Sequence, residues 1–164
     1  NATAGIVELT GGTLDAGVML YLLEQGWTHD RLQTLLYKES GLLGVSGVSA
    51  DMHRLRADGS NEARFAIELF THRVLREAGA MVACLQGLDL LAFSGGIGEH
   101  DVQLRADVGH RLAWLGVQLD PVANAAATGD AVHAIHAPGS AVEVWVVPTD
   151  EGSVAARDAA ALLG

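Results

Sequence analysis

Cysteine is almost missing from this chain, and its scarcity removes whole classes of chemistry. Cys84 has no second thiol to pair with, so neither a disulfide framework nor a thiolate metal cluster is available within one chain. Its neighbours Met81, Val82 and Leu85 place it on a buried helix face, and a reducing cytoplasm is the compartment expected. Basic residues are few as well: ten Lys and Arg stand scattered against twenty Asp and Glu, for a net charge of −10. A nucleic-acid face needs clustered cations, so that partner is excluded. No apolar run approaches the roughly 18 residues that span a bilayer, because the stretch from Ala78 to Phe93 is broken by Gly79, Gln86, Gly87 and Asp89. There is no Gly-x-Ser-x-Gly elbow, so nucleophilic hydrolysis is not indicated. No internal repeat or low-complexity tract is present. Asn1 is not an initiator methionine and no signal segment follows it, so Asn1-Ala2 reads as an artificial start.

What is present is apolar residues in helical and strand patterns, 49% of 164 residues, enough for one well-buried core. The expectation is a single helix-rich α/β domain over residues 1–164. Asp15 precedes a helical series that stops at Gly26, and Thr28 opens a second one through Leu32, Leu35 and Leu36. The glycine-punctuated stretch from Ser40 to Ser49 reads as a shaped loop. Apolar spacing from Ser60 to about Leu85 predicts one long core helix, capped by Ser60 and loosened near Gly79. Leu90-Leu91-Ala92-Phe93 suits a buried strand, and Asp101 leads into a helix carrying Val102, Leu104, Val108 and Leu112. Val117 to Leu119 is a candidate short strand and Val142 to Val147 a stronger one, stopped by Pro148. A final helix is expected from about Asp150 to Leu163.

Three clusters carry possible chemistry. The turn Ser94-Gly95-Gly96-Ile97-Gly98-Glu99-His100 lets backbone approach a bound group, and the following helix offers N–H donors to an anion or polar ring. A nucleotide fits, yet tight strand-to-helix turns also use glycine for packing alone. Pro148-Thr149-Asp150-Glu151 lies again between a strand and a helix; its carboxylates suit either a helix cap or a Mg²⁺ site. In Ser49-Ala50-Asp51-Met52-His53-Arg54, Asp51 suits a helix cap better than a ligand contact by residue type alone. Among the histidines, His29, His72 and His110 read as solvated, and His133 with His136 lacks the further ligands of a zinc site.

Taken in order, these clusters resemble the C-terminal part of the acetate and propionate kinase family. The stretches that carry the resemblance are Leu35 to Gly47, Ser49 to Met52, Phe93 to Glu99, Trp114 to Asp120 and Val146 to Glu151. Five separated motifs agree in sequence and spacing, which a shared fold alone would rarely supply. The resemblance implies a fragment of a ribonuclease H-like ATPase lobe of the sugar kinase, Hsp70 and actin type. It implies a kinase passing the γ-phosphoryl group of ATP to acetate or another short-chain carboxylate, giving an acyl phosphate and ADP with Mg²⁺, and a homodimer. Residue by residue, Asp51, Met52 and His53 and the turn Gly96, Ile97, Gly98, Glu99 and His100 fall at nucleotide-binding positions. Glu151 falls in the magnesium site.

Three positions depart from the family pattern. Thr10 stands at the catalytic position of an arginine that would stabilise the transferring phosphoryl group, a charge typically worth about 10³-fold or more. His53 replaces an arginine beside the nucleotide, with Arg54 one position on, and His100 replaces an asparagine. The family's N-terminal half has no counterpart here, so the 164-residue chain alone is expected to be inactive. Two other readings stand beside this one. One is a catalytically degenerate member that keeps nucleotide binding or dimerisation. The other is an unrelated dinucleotide-binding module, with Asp120, about 20 residues after the turn, on the ribose.

Overall fold

A computed structural model describes residues 14–128 and 131–149. Thr10, Asp150, Glu151 and the expected final helix lie outside the described residues. The chain divides into two compact units, Asn1–Arg73 and Val74–Gly164.

In the first unit, short helices are set end to end by side-chain caps. Asp15 accepts a hydrogen bond from the Gly17 N–H (2.7 Å) and starts α1 (Ala16–Glu24), and Gly26 at φ +82° follows its end. Thr28 caps α2 (His29–Thr34) through the Arg31 N–H, and the chain then widens into a π-helical turn over Leu35–Glu39. Arg31 lies 4.7 Å over the Trp27 ring and reaches Glu39 at 2.6 Å, tying both ends of this region together. The glycine-rich stretch expected as a loop contains a helix, α3 (Gly41–Ser46), ended by Gly47 in the left-handed region. One helical turn is too short to show periodicity, which is why the pattern missed it. Asp51 caps α4 (Met52–Asp58), whose Met52 and Leu55 are buried.

Helix α5 (Asn61–Leu85) runs unbroken through Gly79, with Ser60 accepting from the Ala63 N–H at its start. Ala63, Ala66 and Thr71 are buried, but Met81 and Leu85 are 64% and 71% exposed, and Cys84 is exposed too. The expected burial of Cys84 is therefore corrected. Periodicity marks which helix face is apolar, not whether anything among the described residues covers it.

The second unit is built on a three-stranded sheet among the described residues, in the order β1–β3–β2. β1 (Leu90–Phe93) runs parallel to β3 (Glu143–Val146) with Leu91 opposite Val144 and Phe93 opposite Val146. β2 (His133–Ala134) pairs antiparallel to β3. Val144 and Val146 point inward while Glu143 faces out, the alternation of a strand with one buried side. β1, expected as buried, has only Phe93 fully covered because it forms an edge of this sheet. Val117 to Leu119 contributes only a bridge from Leu119 to His136.

After β1 come α6 (Gly95–His100), α7 (Val102–Arg111), a 3₁₀ turn (Ala113–Leu115) and α8 (Pro121–Ala126). Leu104, Val108 and Leu112 repeat every four residues and are buried with Val117, Ile135 and Val142. The parallel pairing has one consequence for function. It brings the C-terminal ends of β1 and β3 side by side, so the glycine turn and Pro148-Thr149 share one edge of the sheet; the Val147 N–H bonds the Phe93 carbonyl there at 2.8 Å.

Candidate nucleotide-binding site

At that edge the chain uses its own carboxylate to organise the turn. Gly95 adopts φ +74°, a conformation that favours glycine, and its N–H donates to Glu99 Oε1 (2.7 Å) and Thr149 Oγ1 (3.1 Å). The Thr149 hydroxyl (2.7 Å) and N–H (2.9 Å) both donate to the same Glu99 oxygen. Burial alone would raise the Glu99 carboxyl. The donors from Thr149 and Gly95 and the nearby His100 outweigh it and hold the group below its ordinary range. Glu99 is therefore ionised at neutral pH.

The second anchor is Arg105 of α7, fully buried at 0% exposure. Its Nε donates to Asn124 Oδ1 (2.7 Å), one terminal nitrogen to the carbonyls of Gly98 (2.9 Å) and Glu99 (2.6 Å), and the other to those of Asn124 (2.9 Å) and Ala127 (3.2 Å). All five donors of the guanidinium are used. Burial pulls its pKa down, against the charge of Asp101, yet an arginine keeps its proton in such a site. Asn124 also donates to the Val102 carbonyl (3.0 Å). The ends of α6 and α8 are thus satisfied by one side chain, which compensates the desolvation of its charge.

These contacts narrow what the turn offers. The α6 start holds Glu99, and Asp101 caps α7 by accepting from the Leu104 N–H (2.9 Å). One N–H at each helix start is therefore already taken by a carboxylate of the chain, which narrows what the described residues offer to an anion there. Gly96 is different. It is exposed, and a Cβ built on it would meet nothing within 4 Å among the described residues. Flat apolar or polar groups can therefore reach the backbone there without displacing protein atoms. Ile97 and Gly98 are half-buried, a Cβ built on Gly98 would come into contact with Phe93, and His100 is exposed.

In the first unit, a relay of short-range bonds presents Asp51. The buried Ser46 hydroxyl accepts from the N–H groups of Val48 (3.0 Å) and Ser49 (3.3 Å), and Ser49 accepts from Asp51. Asp51 Oδ1 accepts from the His53 N–H (2.8 Å) while Oδ2 faces Arg54 Nε at 3.9 Å. Asp51, His53 and Arg54 are exposed, whereas the Met52 side chain belongs to the core and leaves only its backbone to a ligand. Capping is thus observed, and it occupies one oxygen of Asp51.

Among the described residues, no group of three His, Cys, Asp or Glu side chains is placed to hold a metal ion. His136 is bonded at the Val144 backbone and tilted against Trp145 at 5.9 Å, apart from any such set. Asp120 caps α8, its Oδ1 accepting from the N–H groups of Val122 and Ala123. Thr10 and Glu151 lie outside the described residues.

The acetokinase family model matches residues 4–157. The chain belongs to the acetokinase family. It is 52% identical over 163 residues to an acetate kinase of Rhodopseudomonas palustris, covering 94% of this chain and 40% of that protein. It is 44% identical over 153 residues to an acetate kinase of Methylocella silvestris, covering 93% and 37%. Among solved structures it resembles the acetate kinase of Porphyromonas gingivalis, with TM-score 0.76 and 34% identity over 92% of this chain and 39% of that one. It also resembles that of Entamoeba histolytica, with TM-score 0.78 and 27% identity over 89% and 39%. The fold is the sugar kinase, Hsp70 and actin type expected from the motifs, and the chain spans about two fifths of the length of the relatives it matches.

Sequence reasoning singled out the glycine turn and Asp51 but missed Arg105, Asn124 and the link from Thr149 to Glu99. A lone arginine on a helix reads as a solvated face. Only the burial of its neighbours Leu104 and Val108 hinted otherwise.

Proposed function

We propose that this chain is the nucleotide-binding part of an acetate kinase, which transfers the γ-phosphoryl group of ATP to acetate or another short-chain carboxylate and yields an acyl phosphate and ADP. The observation that carries the reading is the family match over residues 4–157. The parallel strand ends that set Gly95-Gly96-Ile97-Gly98-Glu99-His100 beside Pro148-Thr149 support it.

In this reading the candidate adenosine contacts are Asp51, Met52 and His53 in the first unit. In the second they are Gly96, Ile97, Gly98, Glu99 and His100, the Glu99 carboxylate being engaged within the turn. Asp51 keeps one oxygen for a ribose hydroxyl or amino group, and Arg54, one position on from His53, supplies a positive charge beside it. A carboxylate acceptor attacks the γ-phosphorus in line and needs no protein nucleophile. Mg²⁺, assigned to Glu151, neutralises phosphate charge when bound. No helix among the described residues is long and apolar enough to cross a membrane, and a cytoplasmic homodimer without nucleic-acid or membrane partners completes the proposal.

Thr10, His53 and His100 favour one alternative, a member that binds nucleotide or dimerises without transferring phosphate. Incubating the intact protein with ATP, Mg²⁺ and acetate, propionate or butyrate separates the two. Equal amounts of ADP and acyl phosphate support the kinase. Nucleotide binding with no acyl phosphate from any acid supports the degenerate member. The 164-residue chain alone is expected to form none.

A further inference from the structure

Glu99 is held at two places at once. Its carbonyl is gripped by the buried Arg105 at 2.6 Å, and its carboxylate oxygen accepts from the Thr149 hydroxyl, the Thr149 N–H and the Gly95 N–H. Thr149 lies 50 residues further along the chain, immediately before Asp150-Glu151. Packing does not require this link. The β1–β3 ladder already fixes the strands, and Thr149 is exposed, so its hydroxyl gains little from burial. What the link does fix is the distance from the glycine turn to the segment that follows β3, at the edge where the open backbone of Gly96 faces outward. The hydroxyl donates to Glu99 and accepts from Gly95, using both of its capabilities.

We infer that Glu99 and Thr149 are positioning residues forming a strap that sets the nucleotide-facing turn against the end of β3, so that nucleotide affinity depends on a side chain that does not touch the nucleotide. The inference rests on the proposed assignment of the turn to adenosine. It adds a role for Thr149 and a different role for the Glu99 carboxylate.

The test uses the intact protein with Thr149→Val, which keeps the shape and the N–H but removes the hydroxyl, and Thr149→Ser, which restores it. Two readouts are taken: the KM values for ATP and for the carboxylate, and the hydrogen-exchange rate of the Gly95 amide. Losing one bond to an ionised group is worth about tenfold. Thr149→Val is therefore expected to raise the ATP KM and the Gly95 exchange rate about tenfold, with the carboxylate KM unchanged, and Thr149→Ser to return both to within about twofold. Unchanged exchange at Gly95 in Thr149→Val overturns the strap. Equal rises in both KM values without rescue by serine overturn it as well, because they report general loosening. If the wild-type protein has no kinase activity, the functional reading fails; the exchange arm and ATP binding by calorimetry, compared across the same variants, then decide the strap.

Discussion

The Asp51 segment and the glycine turn are organised by opposite means. Asp51 is presented by bonds that reach no more than three residues along the chain, from Ser46 to Ser49 to Asp51 to His53. The turn is fixed by partners far away in sequence: Thr149, 50 and 54 residues from the groups it bonds, and Asn124, bonded to Arg105 across 19 residues. Local bonds form with little loop-closure entropy and tolerate change elsewhere, whereas the turn is ordered only when the whole second unit folds. The difference teaches where each group of candidate residues is vulnerable. Asp51 depends on its own neighbours, and the turn depends on the core.

The largest effect expected from this contrast follows Arg105→Met. It leaves the carbonyls of Gly98, Glu99, Asn124 and Ala127 without their donor in a buried place, a loss on the order of 3 kcal/mol or more in denaturant unfolding. A loss under about 1 kcal/mol would show that water replaces the guanidinium and that the turn is less dependent on the core than claimed. Gly116→Ala comes next. Gly116 has φ +93°, and a Cβ there would stand 2.8 Å from Ala141 Cβ, so about 1–3 kcal/mol is expected, with no change in nucleotide affinity measured beside it.

On the local side, Asp51→Ala removes the α4 cap and is expected to cost about 1 kcal/mol. Asp51→Asn keeps the cap and loses only charge, so stability stays within a few tenths of a kcal/mol while ATP affinity falls. Affinity equal to wild type in Asp51→Asn would mean the residue is a cap and nothing more.

The smallest effect concerns pH. The Glu99 carboxyl is held below its unfolded value, so the stability it contributes is fully present above the ordinary carboxylate range and is lost as pH falls through and below that range. Asp58, lowered by the Ser60 hydroxyl and N–H, behaves the same way and forms the common background. Melting temperatures at pH 7 and pH 3.5 should fall further apart in wild type than in Glu99→Gln. An equal fall removes Glu99 from the account.

How much of this was legible in the sequence follows the same division. Caps at Asp15, Thr28, Asp51 and Asp101 were readable because capping is a local pattern of residue type and helix start. So were the long α5, by its periodicity, and β1 and β3, as short apolar runs stopped by turn residues. α3 was not, being a single turn bounded by glycines. The exposure of Met81, Cys84 and Leu85 was not, because the pattern names an apolar face without naming its cover. The turn itself was recognised by its glycines. Its supports, Arg105 and Thr149, are known only through the pairing of β1 with β3 and the packing of α7 on α8, which no short window of sequence contains.

The central claim is that the turn opens toward a nucleotide, and Gly96 tests it most directly. Because a Cβ there would meet no atom of the described residues within 4 Å, Gly96→Val should leave the melting temperature nearly unchanged while filling the space a ligand would use. ATP binding by calorimetry on the intact protein is expected to weaken at least about tenfold in this variant. ATP affinity equal to that of wild type, with the protein still folded, would contradict the account.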